Sequence, residues 1–137
     1  MASKWYIKGL KHALDGDITA GVDAANLKAA LVESTYTFDA TDEIIGDVSP
    51  IAATSGNLTG QATTIAANVL KLLVDATITW LSVAPGAACN KVVVYWESGV
   101  AGTRYLIACD ELVSPITPDG NNVTLTWGAT GIATLTT

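Results

Sequence analysis

The stretch NKVVVYWESGVAGTRYLIACDE, residues 90–111, decides the fold class of this chain. Two runs rich in Val, Tyr, Trp and Ile flank a loop that contains two glycines, which is the pattern of a β-hairpin. Because side chains alternate between the two faces of a strand, we expect every second residue of each run to share a face. The two predicted sets are Val92, Val94 and Trp96, and Tyr105, Ile107 and Cys109.

Strand signals continue on both sides of this hairpin. Residues 26–34 predict an earlier strand, and residues 64–83 form a long, nearly continuous β-run with a bend expected at Asp75. After a turn-rich segment, residues 123–128 alternate cleanly and residues 131–137 predict a final strand. Roughly eight short strands separated by turn signals are typical of an antiparallel β-sandwich or jelly roll, with a small barrel as the alternative.

The N-terminal segment has a helical pattern. Apolar residues recur at helical spacing over residues 3–14, with lysines on another side. Gly9 weakens this helix by about 1 kcal/mol relative to alanine, so a turn of helix flanked by extended chain is the alternative. We therefore expect a single domain, with an N-terminal helix or arm at residues 1–14 and a mainly β sandwich at residues 27–137. A further helical turn is expected within residues 37–50, capped by Asp39 or Thr41.

Composition and charge exclude several classes of protein. The chain has 137 residues, half of them hydrophobic, and a net charge of −6. An acidic protein is poorly suited to bind a phosphate backbone, so we expect no nucleic-acid partner. We also expect no membrane span and no signal peptide, and therefore synthesis in a reducing cytoplasm. Cys89 and Cys109 show no metal-binding or redox spacing and are predicted to be buried free thiols.

Three aspartates, Asp15, Asp17 and Asp23, are spaced like ligands of a calcium loop. Such a loop needs glycine at its sixth position and glutamate at its twelfth, where this sequence has Ala20 and Asn26. We therefore predict no metal site there and interpret the stretch as the end of the helix and a turn.

No residue pattern predicts catalysis or a cofactor. The acidic residues Asp39, Asp42, Glu43 and Asp47 lie in a polar, turn-rich segment, where a solvated face is the expected role. His12 is the one histidine of the chain, and no nucleophile motif accompanies it. We expect it to be a surface residue.

A group of lysines, Lys4, Lys8 and Lys11, lies beside Trp5 and Tyr6 and reverses the sign of charge locally in an acidic chain. Aromatic residues are enriched at protein interfaces, so these five residues are the candidate interface with a partner or with further copies of the chain. The alternative is a solvated helix face with Trp5 packed onto the sheet.

The order of segments along the chain resembles small virion proteins of tailed bacteriophages. The resemblance rests on YIKGLKHALDGDIT at residues 6–19, NLKAALVESTYTFDATDEIIGDVS at 26–49, CNKVVVYWESGVAGTRYLIACDEL at 89–112 and ITPDGNNVTLTWGATGIATLTT at 116–137. By similarity to jelly-roll cement proteins, it implies a non-enzymatic head decoration protein on the outer capsid surface of the virion. The implied partners are the major capsid protein and further copies of the chain, as a homodimer or homotrimer. The resemblance assigns no functional residue.

A receptor- or carbohydrate-binding module of a phage tail or fibre is the alternative function. Trp80, Trp96 and Trp127 could stack on a sugar ring. Each of them alternates in phase with aliphatic neighbours, however, and that pattern predicts core tryptophans.

Overall fold

The computed structural model describes residues 2–19, 21, 25–66, 69–74, 77–126 and 133–136. Strands dominate these residues, so the predicted mainly β class is confirmed. The strands are β1 (Ala2–Trp5), β2 (Leu27–Glu33), β3 (Ile51–Thr54), β4 (Ala62–Ala66), β5 (Val69–Leu73), β6 (Thr77–Trp80), β7 (Cys89–Trp96), β8 (Leu106–Ile116), β9 (Val123–Thr126) and β10 (Ala133–Thr136). The helices are α1 (Ile7–Asp15) and the 3-10 helices Ile45–Asp47 and Ala101–Thr103. None of these helices has the length and apolarity that crossing a membrane requires.

The predicted hairpin forms the centre of the largest sheet. Strands β7 and β8 pair antiparallel, and β1, β2 and β3 extend them into a five-stranded sheet of order β1-β8-β7-β2-β3. The remaining described strands form a three-stranded sheet, β10-β5-β4, and a two-stranded ribbon, β6-β9. All pairs are antiparallel.

One face of the five-stranded sheet packs against the smaller sheets. The core between them contains Leu31 and Val92 from the large sheet together with Leu72, Trp80 and Val123 from the small ones. The indole N–H of Trp80 donates a hydrogen bond to the Ala29 carbonyl over 3.0 Å, so this tryptophan is tied to the opposite sheet. Trp80 is almost fully buried, as its alternation predicts.

The other face of the five-stranded sheet is covered by residues 34–50. Tyr36 and Val48 from this segment pack against Val93 and Leu106 of the sheet. Tyr6 joins the same cluster, and its hydroxyl lies 3.0 Å from that of Tyr36. Since both faces are covered, the central strands β7 and β2 are buried along nearly their whole length.

A β-bulge in β8 changes the predicted faces. Val94 pairs with Ala108 and the next residue, Tyr95, pairs with Leu106, so Ile107 is an extra residue on β8. Ile107 packs in the core toward the small sheets, whereas Cys109 packs on the other face. The prediction that these two side chains share a face is therefore wrong, because the bulge shifts the alternation by one position. The two cysteines, Cys89 and Cys109, are buried and free, as predicted.

The N-terminal segment also departs from the simplest prediction. Its first residues form β1, which pairs with β8 so that Trp5 lies opposite Ala108, and α1 starts only at Ile7. The helix ends at Gly16, whose left-handed φ of 82° suits a glycine. The structure is therefore closer to the alternative, a short helix flanked by extended chain, than to a continuous helix over residues 3–14.

The long β-run of residues 64–83 is divided among three strands. Strands β4 and β5 pair with each other, and β6 pairs with β9 instead. In β9, Val123 is buried while Thr124 and Thr126 are exposed, as the alternation predicts. The expected bend at Asp75 and the inward position of Trp127 lie outside the described residues.

Candidate functional site

The five residues of the predicted interface have different environments. Tyr6 is fully buried in the core, so it does not reach the surface. Trp5 is half-buried and packs against the core between the sheets. Only Lys4, Lys8 and Lys11 remain exposed, and they belong to two elements, β1 and α1.

Each of these lysines lies next to a carboxylate. Lys4 pairs with Glu111 over 3.6 Å, and its ammonium also lies 5.1 Å from the centre of the Phe38 ring. Lys8 donates to Glu43 over 3.1 Å, and Lys11 pairs with Asp15 one helical turn further along. Local carboxylates therefore offset the predicted reversal of charge.

The orientation of α1 is the most informative feature of this region. The side of the helix that carries Gly9 faces the protein, and Gly9 is buried. Ile7 and Leu14 lie on the opposite side and are 64% and 79% exposed. Ala13 of the same helix packs against the core and Leu10 is half-buried, so α1 buries part of its apolar surface and leaves Ile7 and Leu14 exposed.

We call Ile7, Lys11 and Leu14 the outward face of α1. With 100° between successive residues, these three side chains fall within roughly 60° of one another around the axis. Lys11 lies between the two apolar residues along the helix, and its side chain is 70% exposed. The outward face thus combines two exposed apolar side chains with a lysine that pairs with Asp15.

His12 fixes α1 to the rest of the domain. Its Nδ1 lies 2.6 Å from Asp17 Oδ2 and its Nε2 lies 2.9 Å from Glu43 Oε1. Its ring stacks on Tyr105, with centroids 3.6 Å apart and planes 12° from parallel. The prediction that His12 is a surface residue is confirmed only in part, because its side chain is 16% exposed and has a partner on each ring nitrogen.

The pKa of His12 follows from these contacts. Partial burial lowers the pKa, while the hydrogen bonds and charges of Asp17 and Glu43 raise it, with a net increase above the ordinary value. The hydrogen bond from His12, together with that from Lys8, lowers the pKa of Glu43. An imidazolium that donates to two carboxylates is an ionic link between α1 and the segment that contains Glu43.

The predicted acidic face is a hydrogen-bonded turn. Asp39 accepts from the backbone N–H and the hydroxyl of Thr41, and this lowers its pKa. Asp47 accepts from the backbone N–H groups of Glu43 and Ile44, with the same effect on its pKa. The expected helical turn is the 3-10 helix Ile45–Asp47, so it begins after Ile44 and not at Asp39 or Thr41.

The two described aspartates of the calcium-like spacing bind different partners. Asp15 pairs with Lys11 and Asp17 with His12, while Asp23 lies outside the described residues. The described residues contain no group of three or more His, Cys, Asp or Glu side chains arranged to hold a metal ion.

The tryptophans of the alternative function differ in their burial. Trp80 lies in the core, and Trp96 is half-buried with its ring centroid 6.1 Å from that of Tyr105. Trp127 lies outside the described residues. Trp80 therefore offers no face to a sugar, and Trp96 offers only its exposed part.

An open cavity of about 210 Å³ lies away from α1, between residues 55–59 and β6. Its lining is neutral, with Asn57, Thr77 and Thr79 among the polar residues and Leu58 and Ile78 among the apolar ones. It includes none of the residues that the sequence predicts at an interface.

Comparison of the chain with protein-family models, with curated proteins and with solved structures finds no match.

Proposed function

We propose that this chain is a non-enzymatic decoration, or cement, protein of a tailed-bacteriophage head. In this role it binds the outer surface of the shell formed by the major capsid protein, after synthesis in the host cytoplasm. The order of its sequence segments supports the proposal, and the observation that carries it is the outward face of α1. Exposed apolar side chains grouped on one helix are a candidate contact surface for another protein.

The mode of attachment of α1 suits a docking element. Its inner side meets β8 at Gly9, and His12 links it to Asp17 and Glu43. A helix held in this way needs little ordering when it binds, so less of the binding free energy is lost as conformational entropy.

Decoration needs binding and no chemistry. A protein that binds the intact shell but not its broken form stabilises the shell by mass action. Many copies on a symmetric lattice act together even where each contact is modest.

Copies of the chain can also contact one another through strand edges, as a homodimer or homotrimer. In the described part of the structure, β3 ends the five-stranded sheet, and its ladder partner there is β2. The other edge strand, β1, runs close to β10. The β3 edge is therefore the better candidate for pairing between copies.

Sedimentation with isolated capsids that lack this chain tests the proposal. We expect the purified protein to pellet with capsids at a saturable ratio and to raise the temperature at which the capsids break. Protein that stays in the supernatant at all concentrations would overturn the proposal and favour a tail or fibre module. Deleting residues 1–13 is unsuitable here, because it removes β1 and the core residue Tyr6.

A further inference from the structure

We infer that His12 is a pH-sensitive latch on the last turn of α1. As an imidazolium it binds Asp17 and Glu43 at once, and as a neutral ring it keeps Asp17 and releases Glu43. The latch joins the end of α1 to the segment that contains Glu43 at low pH and frees it as the pH rises. It goes beyond the proposed function, because it belongs to the isolated domain and does not depend on what α1 binds.

The two contacts of the ring require a proton on each nitrogen. Nδ1 lies 2.6 Å from Asp17 Oδ2, and Nε2 lies 2.9 Å from Glu43 Oε1. An ionised carboxylate only accepts hydrogen bonds, and a neutral imidazole has one N–H and one bare nitrogen. When His12 loses a proton, a lone pair therefore faces a carboxylate oxygen on one side of the ring, and the contact on that side is lost.

The contact with Asp17 is local and is maintained by the backbone. The N–H of Asp17 donates to the His12 carbonyl over 3.0 Å, and the N–H of Gly16 donates to the same carbonyl. These two bonds close the end of α1 and keep Asp17 beside the ring whatever the charge of the ring. A neutral His12 therefore keeps its proton on Nδ1 and continues to donate to Asp17.

The contact with Glu43 is the one that is lost. Glu43 lies 31 positions away in the chain, and its side chain is 40% exposed. It also accepts from Lys8 over 3.1 Å, so it retains a cation when the imidazolium disappears. Among the described residues, in contrast, the Asp17 carboxylate bonds to His12 alone, so it loses more when this partner leaves.

The release acts on the last turn of α1 and leaves the first turn in place. The N–H of Ile7 donates to the Ala40 carbonyl over 3.0 Å, and this backbone bond does not titrate. His12 is the basic residue of the last turn, where a cation interacts favourably with the carbonyl end of the helix. Loss of its charge removes that interaction together with the bond to Glu43, so residues 12–17 are the part that opens.

The groups around the ring fix the direction of the switch. Asp17 and Glu43 bond to the ring, and Tyr105 stacks on it with centroids 3.6 Å apart. Partial burial lowers the pKa of His12, but the two carboxylates raise it by more, to a value above the ordinary 6.5. The latch is therefore closed below about pH 6.5 and opens as the pH rises through the folded pKa. The charged residues that surround these partners are Lys8, Lys11, Asp15, Asp39 and Asp47.

NMR of the purified protein with ¹⁵N-labelled histidine tests which contact is kept. Since the chain has one histidine, its two ring nitrogens give one pair of signals, and their shifts distinguish an N–H from a bare nitrogen. We expect both nitrogens to carry a proton below about pH 6, and Nδ1 alone to carry one well above the folded pKa. A neutral ring with its proton on Nε2 would mean that Glu43 is kept, and would overturn the inference.

Hydrogen exchange measures the release itself. The readout is the protection of the Gly16 and Asp17 amides, corrected for the intrinsic effect of pH on exchange. Each unit by which the measured imidazole pKa exceeds 6.5 should lower this protection by up to about tenfold across the titration. The Leu10 amide, which donates to the Tyr6 carbonyl in the first turn, should change much less. Protection of the last turn that is independent of pH, or that falls equally at Leu10, would overturn the local latch.

Glu43→Gln is the variant that removes the switch. Its amide bonds to either form of the ring, so we expect the step in protection to become much smaller and the pKa of His12 to fall toward 6.5. The matched control is Glu111→Gln, since Glu111 is 37% exposed and pairs with Lys4, away from His12. This control should titrate like wild type.

A Glu43→Gln protein with a step as large as that of wild type would overturn the inference. Melting curves confirm that each variant is folded before it is compared. Because none of these measurements uses capsids, failure of the latch leaves the proposed function standing, and failure to bind capsids leaves the latch standing.

Discussion

A Cβ atom added at Gly9 would lie 1.5 Å from the carbonyl oxygen of Leu106. Because this oxygen belongs to the backbone of β8, it cannot move aside as the end of a side chain can. We therefore predict that Gly9→Ala destabilises the fold by about 1–3 kcal/mol or more, as overpacking does. The sign is opposite to that of helix propensity, which favours alanine over glycine by about 1 kcal/mol. Urea unfolding of the two proteins measures the difference.

Gly102→Ala is the control, because a Cβ atom there meets no heavy atom within 4 Å. We expect its free energy of unfolding to stay within about 0.5 kcal/mol of wild type. A Gly9→Ala protein as stable as this control would show that α1 does not pack closely on β8.

The hydroxyls of Tyr6 and Tyr36 give a second prediction. The Tyr36 hydroxyl donates to Asp42 over 2.8 Å and lies 3.0 Å from the buried Tyr6 hydroxyl. Tyr6→Phe removes one hydrogen bond and leaves Tyr36 bound to Asp42, at a cost of about 0.5–1.5 kcal/mol. Tyr36→Phe takes the partner from a buried hydroxyl, and we expect a larger cost of about 1–3 kcal/mol. Unfolding in urea should rank the two variants in this order, and the reverse order would contradict the arrangement.

The cysteines give a third prediction, on chemical reactivity. Burial raises the pKa of the Cys109 thiol to about 12, and burial also raises the pKa of Cys89. Since the thiolate is the reactive form, both thiols should react with a disulfide reagent far more slowly in the folded protein than in guanidinium chloride. Both thiols of the chain should be titrated once it is unfolded. Rapid modification of the folded protein would contradict the burial of these side chains.

The sequence predicts the strands better than the way in which they pair. The run from Val92 to Trp96 is β-branched and aromatic and has no competing helical pattern, so its strand is predictable. The bulge at Ile107 is not predictable from the sequence, because no glycine or other local signal accompanies the extra residue. Strand β1 depends on pairing with β8, about 100 residues away in the chain, and the local spacing of apolar residues predicts a helix there instead.

The candidate site was predicted only in part. The sequence points to the N-terminal segment, but the spacing of its apolar residues does not show which side of the helix packs on the sheet. Gly9 decides this, since a residue without a side chain allows its side of α1 to approach the backbone of β8 closely. The contact of His12 with Glu43 joins residues 31 positions apart, and no local pattern reveals it.

The contacts of His12 give a prediction on pH. The groups that face its ring are Asp17, Glu43 and Tyr105, with Lys8 bound to the same Glu43. The carboxylates raise the pKa of His12 in the folded protein above its ordinary value of 6.5. Its contribution to stability is therefore fully present below about pH 6.5 and is lost as the pH rises through the folded pKa. Since the chain has one histidine, NMR titration of a single imidazole measures this pKa directly.

The variant His12→Gln separates the contribution of the His12 charge to stability from the effect of other groups that titrate in the same pH range. Glutamine can bond to a carboxylate but cannot become a cation, so we expect the variant to be less stable than wild type near pH 6. The difference should shrink as the pH rises, because wild-type His12 then loses its proton while the variant does not change. Urea unfolding of both proteins at a series of pH values provides the test. A difference independent of pH, or an imidazole pKa at or below 6.5, would show that His12 is held by packing on Tyr105 and not by its two carboxylates.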